Sequence, residues 1–131
     1  MEDNFKFEII SPEKLIFSGN TAMVTIPSYE GDMSVLKNHI SIITFLRPGK
    51  IKVKKNNENF DEFFVEDGIV EYFNDSLVVL SVSALNVEDL SKEFLDNLSK
   101  DTQDRLTQKD ISDHERYILN HKLDALKEIR V

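Results

Sequence analysis

The spacing of apolar residues changes once along this chain, near Asn86, and that change restricts the fold more than any single motif does. Before Asn86, apolar residues recur at every second position in short runs broken by turns. After it they recur every three or four positions in two stretches. A period of two marks strands with one buried face, and a period near 3.6 marks helices with one buried stripe. The chain therefore reads as an all-β body over residues 1–85 followed by a helical hairpin over residues 86–131.

In the first part, Phe5, Phe7 and Ile9 alternate with Lys6 and Glu8, up to Ser11-Pro12. Leu15 and Phe17 form a short second strand that Ser18-Gly19 closes, and Ala22, Val24 and Ile26 line a third. The loop Ser28-Tyr29-Glu30-Gly31-Asp32 follows, with a glycine available for positive φ. Apolar runs flank Lys37-Asn38-His39, Pro48-Gly49 suits a turn, and Asp67-Gly68 is a hairpin signal. With strands through Val53, Val65, Tyr72 and Leu77 to Val82, this makes nine or ten strands at spacings typical of a sandwich or barrel.

In the second part, Asn86 is placed to cap a first helix with Asp89 three residues on. Val87, Leu90, Phe94 and Leu98 mark its stripe, which fades around Thr102 to Gln108. Ser112-Asp113-His114-Glu115 matches the capping box of a second helix, carrying Leu119, Leu123 and Leu126. Two facing helices of this size leave their stripes partly wet, and isolated short helices are marginal in water. The hairpin is expected to lean on the β body or on a partner, and one able to use either is a switch.

Composition removes several function classes. The chain has no cysteine, and its 24 acidic against 16 basic residues leave neither part with the cationic footprint of a nucleic-acid binder. No apolar run approaches the roughly 20 residues of a membrane span, and the start Met1-Glu2-Asp3-Asn4 is acidic where a signal peptide is basic. None of the four glycines builds a phosphate loop. His114 and His121 share a helix face, but zinc wants three or four ligands, so all three histidines read as solvated side chains. Lys50, Lys52, Lys54 and Lys55 read as the wet face of a strand. The Tyr29–Asp32 loop is either a plain turn or an interface, since loops on rigid scaffolds carry contacts. No catalytic, cofactor or metal set emerges.

The ordered motifs resemble one family across nearly the whole chain: the epsilon subunit of bacterial-type F-type ATP synthases. FEIISPEKLIFSG (residues 7–19) is similar to its opening strand pair, and VTIPSYEGDM (residues 24–33) to its V-x-I-P-G-x-E-G-D loop. Asn38-His39 looks like its N-H-A-P, and Leu46-Arg47-Pro48-Gly49 with Ile51 and Val53 like its L-x-P-G-x-I-x-V. Phe64-Val65 to Glu71, and Val79-Leu80 with Ala84, echo its closing motifs.

The resemblance implies a ten-stranded antiparallel β-sandwich followed by a two-helix antiparallel hairpin. It implies a non-catalytic rotor subunit of a proton-translocating synthase, on the cytoplasmic face of the bacterial inner membrane and reaching the membrane only through partners. Those partners are the gamma subunit, the polar loops of the c-ring, and the catalytic alpha/beta head when the hairpin extends to regulate ATP hydrolysis. Tyr29, Glu30, Gly31, Asp32, Asn38 and His39 match the ring-facing positions. The alternative is a stand-alone β-sandwich interaction or sensor module.

Departures from the family pattern carry expectations of their own. Ser34 stands where the family usually has Gly, Ile40-Ser41 replace Ala-Pro, and Asp67 replaces the first Gly of a Gly-Gly turn. Of the nucleotide motif I/L-D-x-x-R-A, the stretch Leu90-Ser91-Lys92-Glu93-Phe94-Leu95 keeps only the Leu, so weak or no ATP binding is expected. Residues 111–131 balance four basic against four acidic side chains, which suggests weak inhibition.

Overall fold

A computed structural model of the chain describes residues 3–129. Met1 and Glu2, on which the reading of the acidic start partly rests, lie outside the described residues, as do Arg130 and Val131 at the end of the hairpin range. Ten strands come first: β1 (Phe5–Ile10), β2 (Leu15–Thr21), β3 (Met23–Ser28), β4 (Gly31–Leu36), β5 (Ile42–Leu46), β6 (Gly49–Lys54), β7 (Phe60–Val65), β8 (Gly68–Phe73), β9 (Ser76–Leu80) and β10 (Leu85–Asn86). Two helices follow, α1 (Lys92–Leu106) and α2 (Asp113–Glu128), after one 3-10 turn at Val87–Asp89.

The strands form one sheet in the order β10-β7-β6-β3-β5-β8-β9-β1-β2, with β4 added to β3. The sheet folds over on itself, and its inward side chains form one apolar interior. Phe7, Ile9, Val24, Ile26, Ile51 and Val79 are fully excluded from solvent there. This is the expected β-plus-α fold, with a refinement: β1 runs parallel to β9, pairing Lys6 with Ser76 through Ile10 with Leu80. Parallel neighbours need a long crossover, and the intervening strands supply it.

Local chemistry corrects three expectations. Ser18-Gly19 does not end the second strand, because β2 continues to Thr21 and pairs along its length with β1. Asp67-Gly68 is not a hairpin turn. β7 pairs with β6 and β10 while β8 pairs with β5 and β9, so this link passes from one wall of the sandwich to the other. The true hairpin of that region turns at Asn74-Asp75, where both residues hold positive φ (53° and 57°) as a tight type I′ turn requires. Finally, Asn86 caps only the 3-10 turn, accepting from Glu88 N. The cap of α1 is Ser91, whose Oγ accepts from Phe94 N at 3.0 Å. Leu90 is extended, so the helix cannot begin before it.

The second cap is as expected: Ser112 Oγ accepts from Glu115 N at 3.0 Å. The first helix outlasts its apolar stripe, reaching Leu106. Its last turn is held by Arg105, which donates to both oxygens of Glu115 at 2.7 and 3.0 Å and to Asp110 at 3.2 Å. This fork clasps the two helices together at their connected end. The same hydrogen bonds hold the Glu115 carboxyl below its ordinary value and raise the Arg105 guanidinium.

The hairpin lies folded on the sandwich. Phe64 sits on β7 between two inward-pointing neighbours, Phe63 and Val65, yet points the opposite way and is fully buried. It is covered by Leu95 of α1 and by Ala125, Leu126 and Ile129 at the end of α2. Phe94, expected on the first helix's apolar stripe, stays exposed and the neighbouring Leu95 is buried instead, so the hairpin closes around an aromatic ring that belongs to the β body.

Candidate docking surfaces

Among the described residues no group of three or more His, Cys, Asp or Glu side chains could hold a metal ion, and no helix is long and apolar enough to cross a membrane. What the surface does carry is apolar area. Strands β5, β8 and β9 lie side by side, and their registers align two outward rows. Phe45, Ile69 and Leu80 form one row; Ile43, Glu71 and Val78 form the next. Ile43 is 71% exposed, Phe45 56% and Leu80 50%, whereas the alternate residues Leu46, Val70, Tyr72, Leu77 and Val79 fill the interior.

At one end this face deepens into a cavity of about 530 Å³ among Ile10, Pro12, Tyr29, Phe45, Ile69 and Val82. A contiguous exposed apolar face of this kind marks an interaction site. No outward residue of β5, β8 or β9 was singled out from the sequence. The signal was present: Ile42-Ile43, Phe45-Leu46 and Leu77-Val78-Val79-Leu80 are apolar at consecutive positions, which means strands covered on both faces.

The six positions singled out from the sequence fall at two places. Tyr29 and Glu30 form the tip between β3 and β4, and Gly31 and Asp32 open β4. Gly31 holds φ 128°, a conformation that L side chains rarely adopt, which fits the tight tip. Asn38 and His39 lie beyond the opposite end of β4, about 20 Å away along a six-residue strand. The structure does not gather them into one cluster. They flank an edge strand that pairs only with β3 and turns Asp32, Ser34 and Leu36 outward.

Each end has its own packing. Asn38 adopts φ 69° and donates its backbone N–H to Asp75 Oδ1 at 3.1 Å, while the Tyr72 hydroxyl donates to the same oxygen at 2.8 Å. Those hydrogen bonds lower the Asp75 carboxyl, and burial together with Asp75 raises the Tyr72 phenol. His39 sets its ring edge-to-face with Tyr72 at 5.7 Å.

At the other end Tyr29 faces the hairpin. Its ring stacks with Tyr117 of α2 at 6.0 Å and 13° and with His114 at 6.5 Å and 25°. The Tyr117 hydroxyl donates to the Tyr29 carbonyl at 3.3 Å. His121 completes the row, edge-to-face with Tyr117 at 4.4 Å. Burial, then the neighbouring Arg47, push the His121 imidazole below its ordinary value, with Asp124 opposing. His114 stays exposed as expected while stacked on Tyr29, whereas His121 is half-buried against Tyr117 rather than simply solvated. A further tie, Lys122 Nζ to Glu66 Oε1 at 2.7 Å, joins α2 to the loop after β7. In the basic run, Lys50 pairs with Glu62 at 3.7 Å and Lys55 with Asp61 at 3.6 Å.

The architecture is a β-sandwich domain carrying a docked helical hairpin, with a broad apolar face left uncovered and an edge strand between two polar loops. The profile of the ATP synthase delta/epsilon chain β-sandwich domain matches residues 4–87. The ATP synthase epsilon chain of Pelagibacter ubique is 42% identical over 129 residues, covering 97% of this chain and 98% of that one. That of Parvibaculum lavamentivorans is 35% identical, covering 99% and 98%. The chain belongs to the ATP synthase epsilon chain family. Among solved structures, a chain of the Euglena gracilis mitochondrial ATP synthase matches with a TM-score of 0.77 at 19% identity, over 95% of this chain and 79% of that one. A chain of the Tetrahymena thermophila central stalk and c-ring matches with a TM-score of 0.60 at 10% identity, over 94% and 93%. At these identities the likeness speaks to the fold.

Proposed function

We propose that this chain is a non-catalytic central-stalk subunit of a proton-translocating F-type ATP synthase, turning with the gamma subunit and the c-ring on the cytoplasmic face of the bacterial inner membrane. The observation that carries the reading is the bare apolar face of β5, β8 and β9, which suits a large, permanent partner such as gamma. The ring's polar loops are assigned to Tyr29, Glu30, Gly31 and Asp32 at one end of β4 and to Asn38 and His39 at the other. Separation along an edge strand fits a broad ring lying lengthwise against β4 better than a compact ligand.

The hairpin is assigned a regulatory role: docked as here, or extended along gamma towards the alpha/beta head to restrain ATP hydrolysis. Its modest attachment, one aromatic ring under a few aliphatic side chains, the exposed Tyr29–Tyr117 stack and one ion pair, supports reversibility. Nucleotide is assigned no place in it. In the first-helix stretch Ser91 is spent on the cap, and Leu95 is buried against Phe64.

The test is co-purification with gamma. The wild-type chain should bring down gamma stoichiometrically, whereas Phe45→Asp and Ile69→Asp, both on the exposed face, should lose it while keeping native circular dichroism. Retention of gamma by both variants would remove this face from the interface, and no gamma with the wild type would remove the reading itself.

A further inference from the structure

Besides the Lys122–Glu66 ion pair, hairpin and sandwich meet at two places of different chemistry. One is the apolar closure over Phe64, which is indifferent to pH. The other is the row Tyr29, His114, Tyr117 and His121, in which the helix residues stand three and four apart and so share one face of α2. We propose that this row is a proton-sensitive latch, in which protonation of His121 opens the contact between α2 and the sandwich and biases the hairpin towards release.

The surroundings of His121 set what its protonation meets. Its ring meets Tyr117 edge-to-face and lines a cleft between α2 and the strands. The charged groups lining that cleft are Asp32 of β4, Arg47 before β6, Lys50 and Lys52 of β6, and Asp124 and Glu128 of α2. Lys50 is partnered by Glu62. Tyr29 faces the row from the β3–β4 tip, and Lys122 beside His121 is partnered by Glu66. A new positive charge on the imidazole would lose hydration in the docked state and meet the field of the Arg47 guanidinium, with Asp124 opposing. Burial and Arg47 outweigh it, so the docked state binds the proton less readily than the released one.

Linkage then fixes the direction. A histidine whose affinity for protons is lowered by docking favours docking above its ordinary value and withdraws that support as pH falls through it. Acidification therefore loosens the hairpin, and alkaline conditions hold it down. This behaviour belongs to the chain alone and stands whether or not the chain turns in a synthase.

The chain has no cysteine, so labels placed at Asn57→Cys and Lys127→Cys, both exposed, report the hairpin–sandwich distance without background. Pulsed spin-label distances on the full chain between pH 8 and pH 5.5 should show the docked population falling by about threefold or more. His114→Gln should keep this slope, and His121→Gln should flatten it. An unchanged docked fraction across the range, or an undiminished slope in His121→Gln, would overturn the latch. A second reading does not depend on any His121 variant. The His121 ring protons, followed by NMR, should titrate lower in the wild type than in Phe64→Lys, where the hairpin is displaced; equal midpoints would also overturn it.

Discussion

At the scale of single residues, this chain's tightest constraint is steric. A Cβ built on Gly49 would lie 2.6 Å from Cβ of Pro27 and 3.0 Å from its Cγ. Pro27 is itself buried within β3, and Arg47 N donates to the Pro27 carbonyl at 3.0 Å, so the two segments are locked together there. Gly49 is thus required for close approach, beyond the turn that the Pro48-Gly49 pair suits from sequence alone. Substituting Gly49→Ala should cost about 1–3 kcal/mol through forced backbone movement, read as a lower urea midpoint with an unchanged slope. A midpoint equal to the wild type's would show that β6 can shift away from Pro27 freely. The same scale explains Asp75, one oxygen of which accepts from both Tyr72 and Asn38 and thereby fastens the loop after β4 to the β8–β9 turn.

At the scale of elements, the hairpin illustrates what can and cannot be read in advance. Its period, its second cap at Ser112 and its incomplete interior are all legible, because each depends on neighbours three or four residues away. What covers the interior is not, because Phe64 is remote in sequence and sits in the run Phe63-Phe64-Val65, where alternation is silent. The first cap was misplaced for a related reason. Asn86 and Ser91 are both good caps; Leu85 and Asn86 pair with β7, one 3-10 turn follows, and the extended Leu90 ends it, so α1 starts only after Ser91. The candidate loops were legible as loops, while their separation along β4 depends on strand pairing. If Phe64 is the shared floor, Phe64→Ala should loosen residues 91–129 far more than the sandwich. Amide exchange should accelerate across α1 and α2 by at least about tenfold and remain slow in β1, β8 and β9. Uniform acceleration would mean that the two parts melt as one unit.

At the scale of the whole molecule, the parts differ in what they own. The β body closes around more than a dozen fully buried apolar side chains, which pack in a cluster separate from the one under the hairpin. The hairpin buries Leu95, Ala125, Leu126 and Ile129 against a ring that it does not carry. Its internal fastening, the Arg105 fork on Glu115, lies at the surface, where ion pairs add little. Separation should therefore be asymmetric. Residues 1–86 expressed alone should fold cooperatively and keep native strand signals, with Phe64 newly bare and the protein more prone to self-association. Phe64→Lys in that shortened chain should restore a monomer without lowering its melting temperature by more than a few degrees, since the residue faces away from the sandwich interior. Residues 87–131 alone should show partial helicity that fades gradually with temperature and depends on concentration. A sharp, concentration-independent melt of that fragment would mean that the helices complete their own core. Docking on the sandwich would then be a preference of position rather than a condition of folding, and the hairpin's freedom to leave would need another cause.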